Sequence, residues 1–440
     1  MNSGPIVPSK DALELLNAHF SNSYMVPNLR EITLPCADPN TIGLMLPLVV
    51  SPVITNFELG INFILHTYDA PQIVALEALA PAYNSLVEII FCDPMAHNTR
   101  IIDAASTLLL KCNPDKLRNF KVQTALSEEA FLHAVQLPNL EGFSTTMDAT
   151  EPRAPLPTSM FPSLESLDIR ATDARPPLLR TIAHIQSKTF SRLRLEFPPT
   201  PLGKFLPKVL GHLRWRGFHR TLSTLTINPD GRFELDKAFV RPLLLLKELS
   251  ALNIVFMCTP PCPYMLTDED LDELVKALPN LRSLKFGTSP CSGPANNTIK
   301  TLISIAKYCK HLTELVIHTN VEAIVNDVSR HENWRDDLAL QDPFFFLAGC
   351  PVRIIIFGLC SIPDEQGART FAMVLLRLFP HLNAITTARL FWDQLLWSMV
   401  DDIITTHRGV GTAIADVGKF MTSFQTCEAY FHAAAGEMGN

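Results

Sequence analysis

No run of apolar residues in this sequence approaches the roughly 18 needed to span a bilayer. The richest run, Ile42 to Ile54, is broken by Pro47 and Pro52, so a membrane is not an expected partner. A secretory leader is lacking as well: Met1 to Lys10 is polar and proline-containing, without a basic start and an apolar middle. The ten cysteines are scattered singly and form no tight framework of the secreted kind. By elimination the expected compartment is cytoplasm and/or nucleus. No charge of one sign dominates either, with 37 Lys and Arg against 44 Asp and Glu, net −7, and a pI near 6.0. Such a balance gives no global field for nucleic acid or an anionic surface, which leaves proteins as the expected partners.

Catalytic motifs are also missing. Gly409-Val410-Gly411 with Gly418-Lys419 has the wrong spacing for a phosphate loop, and no Ser or Thr follows Lys419. Cys258 and Cys262 have no second pair at zinc-site spacing. His311 and His318 flank one repeat and read as hydrogen-bonded surface residues. With no Gly-x-Ser-x-Gly elbow and no His-Glu-x-x-His motif, the chain is expected not to be an enzyme, with no cofactor and no metal site.

What the sequence has in abundance is one phrase, Leu-x-x-Leu-x-Leu. With a leading proline it appears as Pro27-Asn28-Leu29/Ile32/Leu34, Pro138-Asn139-Leu140/Phe143, Pro162-Ser163-Leu164/Leu167/Ile169, Pro279-Asn280-Leu281/Leu284/Phe286 and Pro380-His381-Leu382/Ile385. Without the proline it recurs as Leu86/Ile89/Phe91, Leu117/Phe120/Val122, Leu222/Leu225/Ile227, Leu249/Leu252/Ile254 and Leu312/Leu315/Ile317. Ile54/Phe57/Leu59, Phe190/Leu193/Leu195 and Val352/Ile355/Phe357 bring the total to thirteen. From residue 29 to residue 382 the spacing averages about 29 residues, at the upper edge of leucine-rich repeat periods. A repeat architecture suits a chain that is 47% hydrophobic and 18% charged, because each unit packs on its neighbours and the apolar side chains share a continuous spine.

Between phrases the apolar period changes from alternate residues to helical spacing. Leu202, Phe205, Leu206, Val209, Leu210 and Leu213 predict one helix; Leu271, Leu274, Val275 and Leu278 a second; Ile299, Leu302, Ile303 and Ala306 a third; Phe371, Val374, Leu375 and Leu378 a fourth. Thr267 before Asp268, Glu269 and Asp270 predicts a helix start, with a hydroxyl for orphan N–H groups and carboxylates at the positive end of the dipole. Residues 146–158, 259–264 and 319–343 depart from the period and read as surface insertions. Phe391, Trp392, Leu395, Leu396, Met399, Val400, Ile403 and Ile404 form a stripe expected to cap the open end of the core, and Ile414, Val417, Met421 and Phe424 suggest another helix. Arg214-Trp215-Arg216-Gly217-Phe218-His219-Arg220 reads first as a helix C-terminus, its cations complementing the dipole and its aromatics packed on the next repeat; the alternative is a grip for an acidic partner or phosphate groups, with Trp215 as an anchor.

The expected fold is therefore α/β, a leucine-rich repeat solenoid (horseshoe) with a parallel concave sheet, outer helices and a helical C-terminal cap. Its parts are a lead-in helix over 1–26, about thirteen repeats over 27–388, and the cap and tail over 389–440. Strand alternation points the leucines inward and the x positions onto the concave sheet. Along that surface, acidic blocks at 31–88 and 141–168 alternate with basic ones, which suits a mixed-charge protein ligand. The basic positions Arg118, Lys121, Arg192, Arg194, Arg282, Lys285 and Arg353 are the candidate partner-binding residues.

The prolines before the phrase, the irregular intervals and a weak Asn/Cys ladder, here Asn320 and Cys360, resemble the leucine-rich repeat half of fungal F-box proteins. That resemblance implies substrate recognition for a cullin ubiquitin ligase, with a Skp-type adaptor and cullin as partners if an F-box lies upstream. The short helix Ala12 to Phe20 lacks the leading Leu-Pro of an F-box, so the F-box itself is expected to be missing. A stand-alone scaffold unrelated to ubiquitination is the alternative.

Overall fold

Each of the thirteen phrases is a β-strand that opens two residues after the phrase's first apolar position. The computed structural model describes residues 10–20, 24–37, 39–61, 70–92, 99–147, 156–171, 176–197, 206–229, 235–256, 264–288, 296–330, 350–357, 362–387 and 394–408. The sequence readings at 1–9, 148–155, Leu202, Phe205, Cys258, 259–263, 331–343, Cys360, Phe391, Trp392 and 409–440 lie outside these residues, as does Cys262 within the second insertion.

Two compact units divide the chain at residues 197 and 198. In the first, the strands are β1 (Glu31–Ala37), β2 (Asn56–Ile61), β3 (Glu88–Cys92), β4 (Asn119–Ala125), β5 (Gly142–Met147), β6 (Ser166–Ala171) and β7 (Arg192–Phe197), side by side in sequence order and parallel. Its helices are α1 (Lys10–His19), α2 (Pro39–Val49), α3 (Ala70–Ala78), α4 (Thr99–Lys111), α5 (Glu128–Ala134) and α6 (Pro176–His184). The second unit has β8 (Thr224–Pro229), β9 (Ala251–Phe256), β10 (Ser283–Thr288), β11 (Glu314–Ile317), β12 (Ile354–Phe357) and β13 (Ala384–Thr387), again parallel and in order. Its helices are α7 (Leu206–Trp215), α8 (Lys237–Leu243), α9 (Asp268–Ala277), α10 (Ile299–Tyr308), α11 (Val321–Arg330), α12 (Glu365–Leu378) and α13 (Gln394–Arg408).

The phrase sets the pairing register. Phe143, Leu167 and Leu193 are cross-strand partners in the first unit, and Leu225, Leu252, Leu284, Leu315, Ile355 and Ile385 in the second. Leu167, Leu225 and Leu284 are all completely buried, each such side chain contributing about 1.5–3 kcal/mol by leaving water. A slip of one residue would turn this row out to solvent, so burial specifies the register strongly. The helices lie over the apolar face, as ring contacts between Phe131 of α5 and Phe143 of β5, and between Phe357 of β12 and Phe371 of α12, attest. On the opposite, more open face the described side chains range from exposed, as at Arg194, to buried, as at Val316 and Ile356.

A second repeating device joins neighbours just before each strand. The carbonyl of Arg30 accepts the N–H groups of both Thr55 and Asn56, and that of Arg282 accepts Thr313 and Glu314 in the same way. Where the position carries a hydroxyl it donates to the same carbonyl, as Thr55 does to Arg30 (3.1 Å), Ser250 to Ser223 (3.0 Å) and Thr313 to Arg282 (3.0 Å). The polar residue of the proline phrase does likewise one step earlier: Asn139 donates to Asp115 O (2.9 Å) and Ser163 to Pro138 O (2.6 Å). Each bond is worth about 0.5–1.5 kcal/mol, and they recur at several steps, Ser191 to Glu165 O and Asn280 to Lys247 O among them.

Several sequence expectations need correction. The expected surface insertion at 319–343 opens with helix α11, because Val321, Ile324 and Val325 supply a buried helical stripe. Asn320 is no ladder residue; its side-chain oxygen accepts the Ala323 N–H and starts that helix. His318 is buried rather than superficial, whereas His311 is exposed. The helix at Thr267 begins as expected, with a full capping box to Asp270. In α13, Trp397 packs against Phe357 and Phe371 at 5.7 and 5.9 Å, and Asp401 accepts the Ile385 N–H of β13 at 3.2 Å.

Candidate interaction surface

Strand alternation gives the open face its side chains, and the register arranges them in rows. In the first unit one row runs Lys121, Ser144, Asp168, Arg194 across β4 to β7. The next row runs Thr146, Arg170, Glu196. Arg194 lies 4.0 Å from Asp168 and 3.9 Å from Glu196, and Arg170 lies 4.0 Å from Glu196. Ser144 is buried between its larger neighbours, and its hydroxyl bonds to Asp168. Burial pushes the Asp168 carboxyl above its ordinary value; Arg194 opposes this, Glu196 adds to it, and Ser144 and Lys121 oppose it. The result is a polar patch whose charges compensate one another over adjacent strands.

In the second unit the corresponding row is Asn253, Lys285, Val316, Ile356. Lys285 sits 3.0 Å from Glu314, which also accepts the Ser283 hydroxyl at 2.8 Å. Beyond it the row turns apolar, and Val316 and Ile356 are buried on both sides of their strands.

The seven candidate cations separate accordingly. Arg118 is ion-paired with Glu141, Arg194 with Asp168 and Glu196, and Lys285 with Glu314. Lys121 is half-buried near Asp168. Arg192, Arg282 and Arg353 are exposed, and among the described residues no carboxylate pairs with them. Position also divides the set. Arg118, Arg282 and Arg353 each precede their strand by one residue, so they line the rim at the strand N-termini instead of the sheet face. Alternation begins only inside the strand, which is why placing both x residues on one face was wrong for these three. Lys121, Arg192, Arg194 and Lys285 stand on the face itself.

A buried polar cluster in the second unit escaped the sequence reading. Asn297, fully buried, donates to the Tyr264 hydroxyl and to His318 O (3.1 Å for the latter), and Tyr264 meets the His318 ring edge-on at 5.5 Å. Gly287, at φ 140°, makes this possible, since a Cβ there would lie 3.1 Å from the His318 Cβ. Asp268 adds a clamp between helices, accepting from Thr298 N at 2.8 Å, Thr298 Oγ1 at 2.6 Å and the Thr301 hydroxyl. These partners lie 21 to 33 residues apart, beyond any local pattern, and the lone Asn297 gave no signal.

Among the described residues no group of three His, Cys, Asp or Glu is placed to hold a metal ion. The thiols of Cys112 and Cys309 are pushed up to about 12 and that of Cys350 to about 11, in each case chiefly by burial. Protonated and enclosed, they are unsuited to nucleophilic attack. No helix among the described residues is long and apolar enough to cross a membrane. No family model matches the chain, and no curated protein matches it.

Proposed function

We propose that the chain is a non-catalytic protein-recognition solenoid, a leucine-rich repeat horseshoe whose open sheet face and strand-N-terminal rim hold a protein partner in the cytoplasm or nucleus. The observation that carries this reading is the face of β4–β7 away from the helices: one register, repeated strand by strand, presents rows of charged and hydroxyl side chains with no cleft required. Such a surface recognises by charge complementarity distributed over many positions. The partner reads the cations that no described carboxylate neutralises, Arg192 on the face and Arg282 and Arg353 on the rim, in preference to those paired with one. In the F-box form of this reading the repeats select a substrate for a cullin ligase; in the scaffold form they act without it.

The test is affinity purification of the full chain with quantitative mass spectrometry, beside two variants. Charge reversal of Arg192, Arg282 and Arg353 is expected to deplete the native partner at least about tenfold, the scale of losing one strong interfacial charge. Reversal of Arg118 and Lys285 disturbs existing pairs and is expected to deplete it less. Equal recovery of every partner by wild type and the first variant would sink the proposal. Co-purification of a Skp-type adaptor and a cullin supports the ligase form, and a reproducible partner without them supports the scaffold.

A further inference from the structure

Helix α7 and the turn after it carry a surface that the sheet-face reading does not use. Val209, Leu210 and Leu213 are buried on one side of the helix. At about 100° per residue, Trp215 falls opposite that stripe, with Lys208 on the same outer side. Trp215 is 74% exposed and, among the described residues, the only Phe, Tyr or Trp so fully on the surface. Gly217, at φ 82°, then reverses the chain in a left-handed turn and sends Phe218 into the core at 5% exposure. Of the two aromatics expected to pack inward, Phe218 is buried and Trp215 is not.

The surroundings of Trp215 have one sign. Residues 197–229 contain five Lys and Arg and no Asp or Glu, in a chain whose acids outnumber its bases. Arg216 lies over the Trp215 ring at 5.8 Å. Lys208, Arg214 and Arg220 are exposed, as is Arg241 on the adjoining helix α8, and among the described residues no carboxylate pairs with these four. Helix α7, the turn after it and the adjoining helix α8 thus carry more cations than a helix dipole can use, together with an indole that water does not favour.

From this combination we infer that the α7 surface is a docking site for an acidic peptide segment of a partner protein, with Trp215 as the apolar anchor and Lys208, Arg214, Arg216, Arg220 and Arg241 as its charged surround. An exposed Trp with an arginine over its ring and further arginines on the same helix and turn has the composition of an interface hot spot. Single-stranded nucleic acid calls for several stacking platforms, and the patch offers one. A bilayer calls for a broader apolar face and would be opposed by the net charge of −7.

The experiment measures fluorescence anisotropy of a labelled peptide of Glu and Asp interspersed with Leu, titrated with the full chain. Binding is expected to weaken with added salt and to fall about 30-fold in Trp215→Ala. The double variant Arg214→Glu/Arg220→Glu is expected to lose at least as much, with thermal midpoints unchanged because all three side chains are exposed. Charge reversal on the sheet face leaves this binding intact, so the two surfaces are judged separately. The inference is overturned if the peptide does not bind, if either variant binds it as wild type does, or if phosphatidylserine vesicles or an oligouridylate bind the surface in preference.

Discussion

The open faces of β4–β7 and β10–β12 share a register and differ in chemistry. In the first, Asp168 faces Arg194 on the neighbouring strand and Lys121 two strands away, and Arg194 also meets Glu196 on its own strand, so that these four form a compensated patch. In the second, a single Lys285–Glu314 pair gives way to Val316 and Ile356, which are buried. The same position in the repeat is thus part of a solvent-accessible polar surface at one place and buried at another. Position in the phrase fixes where a side chain points; the residue type and its cross-strand neighbours fix what it does there.

Exchanging the two chemistries breaks this comparison most sharply. Ile356→Arg places a cation in a buried row and is expected to cost about 3 kcal/mol or more in urea unfolding. Arg194→Ile, in the same row of the first unit, is expected to stay within about 1 kcal/mol, because a half-exposed ion pair is worth little. Similar losses from both would erase the distinction drawn between the faces. Next in size, Asp268→Ala removes the carboxylate that holds Thr298 and Thr301 and leaves their donors unpaired, for an expected loss of about 2–3 kcal/mol. Amide exchange should then accelerate in α9 and α10 and stay unchanged in β4–β7; uniform protection would show that the clamp carries no load.

The smallest effect concerns pH and sharpens the account of the first unit. Asp168 has a folded-state pKa above the ordinary 3.8, with burial as the main cause. The folded chain therefore binds the extra proton, and stability declines as pH rises from the ordinary value through the raised one. Asp168→Asn lifts that penalty, so its thermal midpoint is expected slightly above wild type at neutral pH. The advantage disappears in acid, where the carboxyl is protonated in both states. A variant less stable than wild type at neutral pH would show that the Arg194 attraction outweighs burial.

The strands were the most legible part of the molecule, and the reason is physical. Burial of one face fixes register, so Leu167, Leu225 and Leu284 announce their rows through local spacing alone. Charge compensation across strands was not legible, since Arg194 finds Asp168 only when strands some two dozen residues apart are laid side by side. The rim arginines were misplaced because alternation starts inside the strand, one residue after Arg118, Arg282 and Arg353. Helix α11 was read as a loop although Val321, Ile324 and Val325 have helical spacing; the charged residues that follow masked it. For Trp215 the spacing to Val209 and Leu213 already implied an outward side chain, and the habit of packing aromatics inward prevailed over it.

Cross-strand disulfide formation tests the central claim, the parallel register of the repeats, most directly. Directly opposed residues of adjacent strands, about 4.8 Å apart, fall within reach of a disulfide. Asp168→Cys with Arg194→Cys in the first unit, and Ser283→Cys with Glu314→Cys in the second, are expected to oxidise readily in the native protein. Asp168→Cys with Glu196→Cys, two residues out of step, is expected to remain reduced. Cross-linking of the out-of-step pair, or failure of both in-step pairs, would contradict the account.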